Sequence, residues 1–482
     1  MKPLPLGCPA PLRSAGALVV ARRGLAIAAG LLVTLAAQAS VPALETVSAT
    51  SVTYSAAPGL VIPRTTEYLL DNSAVGDGLT KVRVLLPVGY EAGQDYPVVY
   101  LLHGFSGSET SWSNMNAVND LNDTLETNTR AANIVFVMPD GDNDFYSDWY
   151  EPTAGGTMRN WETYHIQQLI PWVEANFKVR RDRGGRAISG LSMGGFGCMT
   201  YATRHPDLFA GVFSISGAVN NIPLSLVGAL DQVPEELLAL VNLPAVLNID
   251  PAQIWGPFLS QAVLWHGRNP FTLMNNLRSL KVWYATGLGL GSDMPGDNQT
   301  TRAMEAAVGA LNYEFNLKML ALDIPHTFHV NPQATHTGYY FLQWFKQALP
   351  VMEQTFAANA GTPASFDYQA IESSFDIFGW NFGTDRDVVE FLYLTDVSRD
   401  GLTLKGSGVV SVTTPPVYAP GSLHWVVAPP ELGIDVWPNW PRADDQGRLH
   451  FNVKLGNSHQ AQQFTVGAVL VDDWKKTRVN IH

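Results

Sequence analysis

The stretch Ala187-Ile188-Ser189-Gly190-Leu191-Ser192-Met193-Gly194-Gly195-Phe196 decides the fold. A short apolar strand runs into Gly-x-Ser-x-Gly, and a helical run from Phe196 to Thr203 follows. In this pattern the serine sits on a sharp strand-to-helix turn. Glycines on either side permit the strained backbone and leave the hydroxyl exposed above a sheet. Ser192 is therefore the candidate nucleophile.

Outward from this turn, short apolar runs alternate with longer helical patterns. Strands are expected at Val82 to Leu86, Val98 to Leu102, Ile134 to Met138, Val212 to Ser216 and Lys281 to Thr286. A helix is expected over 161–177, where Trp161, Ile166, Leu169, Ile170, Val173 and Phe177 share one face. A further strand near Glu314 to Leu320 and a helix from Gly338 to Leu349 complete a mainly parallel α/β domain. The Leu-, Val- and Pro-rich segment 218–280, with Trp255, Phe258, Leu259 and Trp265, reads either as core helix or as a lid over a pocket. Past a linker at 357–362, short strand-like runs separated by Asp400-Gly401, Pro415-Pro416, Pro420-Gly421 and Gln446-Gly447 indicate an antiparallel β-sandwich over 363–482. Those runs are Phe366 to Ala370, Val388 to Leu394, Val409 to Thr413, Leu423 to Ala428, Leu449 to Leu455 and Gln463 to Leu470.

The N-terminus has a different grammar. Arg22-Arg23 precedes the uncharged apolar run Gly24 to Ala37, and Ala37-Gln38-Ala39 follows. This is the order of a cleaved export signal over 1–39, too short to anchor the chain in a bilayer. The catalytic domain then covers 40–356. Removing 1–39 takes out Lys2, Arg13, Arg22 and Arg23 and no acid, which moves the net charge from −13 to −17. So acidic a chain is a poor partner for nucleic acid or an anionic membrane surface. Cys8 leaves with the signal, so Cys198 has no intrachain partner and reads as a packing residue.

A serine nucleophile needs an imidazole base and an orienting acid, expected in the order Ser, acid, His. Of His205, His266, His326, His329 and His336, the last lies in the loop before the final helix of the α/β part, the usual station of the base. Asp293, Asp297 and Asp323 are all open as the acid. His326 and His329 stand three apart, but no clear third ligand accompanies them, so no metal is expected. Two backbone N–H groups must face the developing oxyanion. Met193, after the nucleophile, is one; Phe105, in Leu101-Leu102-His103-Gly104-Phe105, is the other, with His103 shaping that turn.

These residues, together with Phe145-Tyr146-Ser147-Asp148-Trp149-Tyr150, Trp161-Glu162-Thr163 and His205-Pro206, resemble the esterase D family of α/β-hydrolases. Within it, they are most similar to the secreted mycolyltransferases. The resemblance covers residues 60–350. It implies an α/β-hydrolase fold, with Ser192 as nucleophile, His336 as base, Phe105 and Met193 as oxyanion donors, and Asp293, in Ser292-Asp293-Met294-Pro295-Gly296, as the acid. It places His103, Ser106 and Trp161 as candidates for substrate contact. The mycolyltransferases hold trehalose through an Asp and an Arg where this chain has His103 and Ser106, so water is the simpler acceptor here.

The expected protein is an exported serine ester hydrolase that needs no cofactor and acts on acyl or aromatic esters. The rivals are transfer of the acyl group to a sugar or lipid hydroxyl, and a non-catalytic surface binding protein. Trp380, Trp425, Trp437 and Trp440 make the sandwich a candidate for carbohydrate or polymer contact.

Overall fold

The computed structural model describes residues 41–482 apart from 54–60, 74, 77, 92, 118–119, 154, 223–249, 430–433 and 466–473. The export signal with Cys8, the centre of the 218–280 segment and most of the Gln463 to Leu470 run lie outside the described residues.

The strands of the first part are β1 (Glu45–Thr53), β2 (Val61–Asp71), β3 (Leu79–Leu85), β4 (Val98–Leu102), a small outlying pair β5 (Asn116–Ala117) and β6 (Asp120–Thr124), then β7 (Val135–Pro139), β8 (Arg186–Leu191), β9 (Gly211–Ile215), β10 (Lys281–Gly287) and β11 (Thr327–Asn331). All but β5 and β6 join one nine-stranded sheet in the order β1-β2-β3-β7-β4-β8-β9-β10-β11. From β7 to β11 every neighbour is parallel, and β1 to β3 extend one edge antiparallel.

Helices cover both faces of the sheet, and alternation along β4 shows why. Val98, Tyr100 and Leu102 face one layer with Phe196, Met199 and Ala202 of the helix Met193–Arg204. Val99 and Leu101 face the other, with Phe341, Phe345, Ala348 and Met352 of the helix Gly338–Ala358. Strands buried on both sides read as continuous apolar runs, as β4, β7 and β9 do. The chain has the α/β-hydrolase fold expected of it, followed by a β-sandwich.

One expected strand is absent. Glu314 to Leu320 lies inside a 23-residue helix, Gln299–Ala321. Its apolar residues looked alternating, but Val308, Leu311, Phe315 and Met319 are buried at helical spacing along one face. The strand comes later, at β11, and carries His329. His326 pairs with Asn316 and the Ile324 carbonyl, whereas His329 packs on the Trp283 ring. In the 218–280 segment, Trp255 and Trp265 are buried and hydrogen-bonded to Ser147 and the Gly256 carbonyl. These two indoles belong to the core, while Leu259 is exposed.

The sandwich comprises β12 (Ser365–Ala370), β13 (Ser374–Ile377), β14 (Trp380–Asp385), β15 (Leu392–Ser398), β16 (Gly401–Gly406), β17 (Val409–Thr413), β18 (Val426–Val427), β19 (Ile434–Trp437), β20 (His450–Leu455) and β21 (Lys475–Ile481). Two five-stranded sheets, β12-β15-β16-β21-β18 and β13-β14-β17-β20-β19, enclose its core. Residues 43–482 form one compact unit. The segment expected as a linker begins inside the helix that ends at Ala358, and Arg183 holds the Ala360 and Gly361 carbonyls. Among the described residues no helix is long and apolar enough to cross a membrane.

Candidate active site

β8 delivers Ser192 to the C-terminal edge of the parallel strands, and the helix Met193–Arg204 leaves directly after it. Ser192 has φ 54°, ψ −119°, a strained geometry of the kind that costs about 1–3 kcal/mol and is retained where the surroundings enforce it. The neighbouring glycines enforce it. A Cβ on Gly190 would stand 1.9 Å from the Gly194 carbonyl oxygen, and one on Gly194 would stand 2.3 Å from that of Leu102. No side chain larger than hydrogen fits either place.

Ser192 Oγ lies 2.8 Å from His336 Nε2, and His336 Nδ1 lies 2.7 Å from Glu305 Oε2. The other oxygen of Glu305 accepts from Gly287 N at 2.5 Å, Ser216 Oγ at 2.7 Å and Thr286 Oγ1 at 3.1 Å. Glu305 is completely buried. Burial alone would raise its pKa, but the hydrogen bond and charge of His336, with the Gly287 and Ser216 donors, hold it below the ordinary carboxylate value. The network thus places the proton on Nδ1 and leaves Nε2 to accept from the serine.

The structure brings Ser192 and His336 together and leaves Asp293 out. Asp293 is exposed in the loop after β10, Asp297 is paired with Arg302, and Asp323 follows the end of a helix. The loop after β10 is a passage into the helix Gln299–Ala321, whose second turn lays Glu305 over the end of the strand. Asn298 and Thr301 cap that helix reciprocally, and the Thr301 carbonyl accepts from His336 N at 3.0 Å. The acid and the base loop are fixed by the same helix end. Reading 314–320 as helix would have placed Glu305 on the same helix, but no local signal marks its contact with His336.

The candidate oxyanion donors lie on either side of the serine. Met193 N–H opens its helix, where no intrahelical acceptor exists. Gly104 lies against Ser192, since a Cβ there would stand 3.2 Å from Ser192 Cβ. The Gly104 carbonyl accepts from His103 Nδ1 at 2.8 Å and from Gly107 N at 3.0 Å. In a trans peptide the carbonyl and the next N–H point to opposite sides, so these bonds turn the Phe105 N–H the other way.

Two candidates for substrate contact are otherwise engaged. His103 is completely buried; its Nδ1 is on Gly104, its Nε2 accepts from Gly141 N at 3.0 Å, and its carbonyl accepts from the Tyr146 hydroxyl at 2.8 Å. It braces the turn at Gly104 and has no exposed face. Trp161 is buried, with its ring stacked on His165 and its Nε1 donating to Asp144 at 2.5 Å. Only part of it lines a cavity. Ser106 is exposed beside Phe105, with its N–H on Asn143 Oδ1 at 2.7 Å. Cys198 is buried on the elbow helix, where burial pushes its thiol far above the ordinary value, so it is no second nucleophile.

Among the described residues no cluster of His, Cys, Asp and Glu could hold a metal ion. In the sandwich, Trp380 is a core residue. Trp425 and Trp440 are exposed with their rings near-parallel at 5.9 Å, and Trp437 is exposed too.

Residues 73–355 match the family described as "Putative esterase". A Mycobacterium tuberculosis (strain ATCC 25618 / H37Rv) protein named Esterase Rv1288 is 33% identical over 276 residues, covering 56% of this chain and 55% of that protein. The chain thus spans about half the length of that relative. Mycobacterium leprae Diacylglycerol acyltransferase/mycolyltransferase Ag85A is 28% identical over 278 residues, covering 56% of this chain and 78% of that protein. Among solved structures, a ferulic acid esterase is 23% identical with a TM-score of 0.43, covering 61% of this chain and 98% of that one.

Proposed function

The chain belongs to this esterase family, and from that premise we propose that it is an exported serine carboxylic-ester hydrolase that works through an acyl-enzyme. The observation that carries the reading is the unbroken line from Glu305 through His336 to Ser192, at 2.7 and 2.8 Å. Ser192 Oγ attacks the ester carbonyl carbon as its proton passes to His336 Nε2. Buried Glu305 stabilises the resulting imidazolium. The oxyanion takes the Phe105 and Met193 N–H groups. As the tetrahedral intermediate collapses, Nε2 returns the proton to the departing alkoxide. Water, deprotonated by the same nitrogen, then releases the acid.

The order of basic, apolar and Ala-x-Ala residues over 1–39 supports export. The names of the relatives support both ester hydrolysis and acyl transfer, which share the acyl-enzyme. Buried His103 and small, exposed Ser106 offer a sugar acceptor no ion pair beside the oxyanion loop, which favours water. Incubation with nitrophenyl butyrate and excess glucose is expected to give mainly free butyrate, quantified by chromatography. Mainly butyrylated glucose would reverse the assignment in favour of transfer.

Exposed Trp425, Trp437 and Trp440 support carbohydrate or polymer contact by the sandwich, since indole faces stack on sugar C–H faces. Trp425→Ala with Trp440→Ala is expected to lower turnover of an insoluble acetylated polysaccharide severalfold while leaving nitrophenyl butyrate unchanged. An equal rate on both substrates would make these indoles ordinary surface.

A further inference from the structure

The helix Gln299–Ala321 carries buried Glu305 on its inner face and an apolar stripe on its outer one. Among the described residues, those exposed between Ala303 and Leu320 are Ala303, Ala306, Ala310, Tyr313, Leu317 and Leu320. They recur at alternating intervals of three and four, the spacing that keeps one seam of a helix facing a partner helix. Tyr313, Leu317 and Leu320 are 41%, 65% and 61% exposed. The nearest charges are held by the fold: Glu314 accepts from Asn220 Nδ2 at 3.4 Å, and Lys318 donates to the Phe271 carbonyl at 2.5 Å. The outer side of a surface helix is ordinarily polar, so an uncharged apolar seam of about five turns marks an interaction surface.

The order of residues in the stripe says what fits it. Its first three members are alanines, and its last three are tyrosine and two leucines. A lipid surface has no use for such a gradient in size, whereas the same helix running the opposite way supplies its complement. A two-fold axis passing between Leu311 and Asn312 pairs Ala303 with Leu320, Ala306 with Leu317 and Ala310 with Tyr313 of a second copy, each pair occurring twice. Every pair sets a small side chain against a large one, which lets two helices pack closely. Antiparallel packing also lays each helix N-terminus beside a C-terminus, where the dipoles attract. The six side chains with their rim offer roughly 500 Å² per copy, or about 1,000 Å² in a pair, the area at which an interface becomes specific. The Tyr313 ring meets Phe328 of β11 at 5.5 Å, so the seam borders the last strand of the sheet.

We propose that this outer face is the contact surface of a homodimer, in which the helices Gln299–Ala321 of two copies pack antiparallel about a two-fold axis. The inference does not rest on the ester-hydrolase reading.

Sedimentation velocity of the purified protein over about 1–100 µM is expected to show a monomer–dimer equilibrium. Leu317→Glu places an uncompensated charge in the seam and is expected to weaken the dimer about tenfold or more, as is Ala306→Lys. The two substitutions in one chain are expected to restore it, because the axis sets the new charges opposite each other twice. Circular dichroism and Tm check that each variant folds. Leu317 stands about 18 Å along the helix from Glu305, so Leu317→Glu should keep the parent's kcat on nitrophenyl butyrate. A monomer at every concentration, or a dimer that persists in Leu317→Glu, would overturn the proposal. So would a double variant that stays monomeric, since it denies the antiparallel pairing. Flotation of a monomeric parent with phosphatidylcholine vesicles, lost in Leu317→Glu, would give the stripe to a lipid surface instead.

Discussion

Ser192→Ala is expected to lower kcat on nitrophenyl esters about 10⁶-fold with folding retained, and Glu305→Gln about 10⁴-fold, whereas Asp293→Asn should stay within about twofold of the parent. The Glu305 effect follows from the crowding of one oxygen. Oε1 receives Gly287 N, Ser216 Oγ and Thr286 Oγ1. A glutamine at 305 must turn its single carbonyl oxygen toward those donors, which leaves its NH₂ facing His336 Nδ1. That amide donates, so Nδ1 becomes the acceptor and the ring proton moves to Nε2. Nε2 then no longer accepts the serine proton. The variant keeps its contacts but holds the wrong tautomer and lacks the negative charge that stabilises the imidazolium. Burst kinetics with a nitrophenyl ester separate the steps, since the acylation burst should slow along with turnover. A large loss in Asp293→Asn together with an active Glu305→Gln would restore the loop carboxylate and reject the buried one.

The contrast between these two carboxylates shows what the sequence could disclose. Ser192 was legible because two glycines are needed wherever a strand turns sharply into a helix, and that need leaves a mark in five adjacent residues. His336 was legible from its place before a long amphipathic helix. The Glu305–His336 contact was hidden because Glu305 sits on a helix turn folded back over β10, and local spacing does not record which turn lies over which strand. His103 was named correctly as a shaper of its turn, but its proximity to the oxyanion loop also made it a candidate for substrate contact. Only its complete burial decides that. The sandwich strands β13, β14, β16, β19 and β21 escaped, in part because polar residues such as Asp376, Asn381, Lys405, Asp435 and Lys476 interrupt the apolar signal within them. What the residues state locally was readable; what depends on distant chain segments meeting was not.

Arg204→Met is expected to destabilise the protein by about 3–5 kcal/mol, because Arg204 ties the helix Met193–Arg204 to the sandwich through a buried charge cluster. Arg204 ends the helix that begins after Ser192. Its Nε donates to Glu162 at 2.7 Å, its NH1 to the Gly267 carbonyl at 2.8 Å and its NH2 to Glu372, beyond β12, at 2.8 Å. Its own carbonyl accepts from the Tyr368 hydroxyl at 2.6 Å. Removing the guanidinium takes from Glu162, 6% exposed at its side chain, its direct ion pair and leaves His205 as its hydrogen-bonded partner, with the Arg268 charge nearby. Glu372→Gln should cost only about 0–1 kcal/mol, because that carboxylate is about one-third open to solvent. The pH dependence follows in sign. Burial works to raise the Glu162 carboxyl, but the charges and hydrogen bonds of Arg204 and His205 hold it well below its ordinary value. The folded state therefore binds fewer protons than the unfolded one, and the stabilisation is complete above the ordinary carboxylate pKa and fades as pH falls below it. Urea denaturation at pH 7 and pH 3.5 should thus show a large deficit in Arg204→Met at the first and a smaller one at the second. Alongside this cluster, Asn276 pairs with both backbone groups of Gln369, and Ile371 packs with Val263 and Leu273. Contacts so numerous make the sandwich a buttress of the helix Met193–Arg204, so the two parts should unfold in a single transition. Two separate transitions, or a deficit below 1 kcal/mol at pH 7, would instead make it a module merely tethered to the catalytic part.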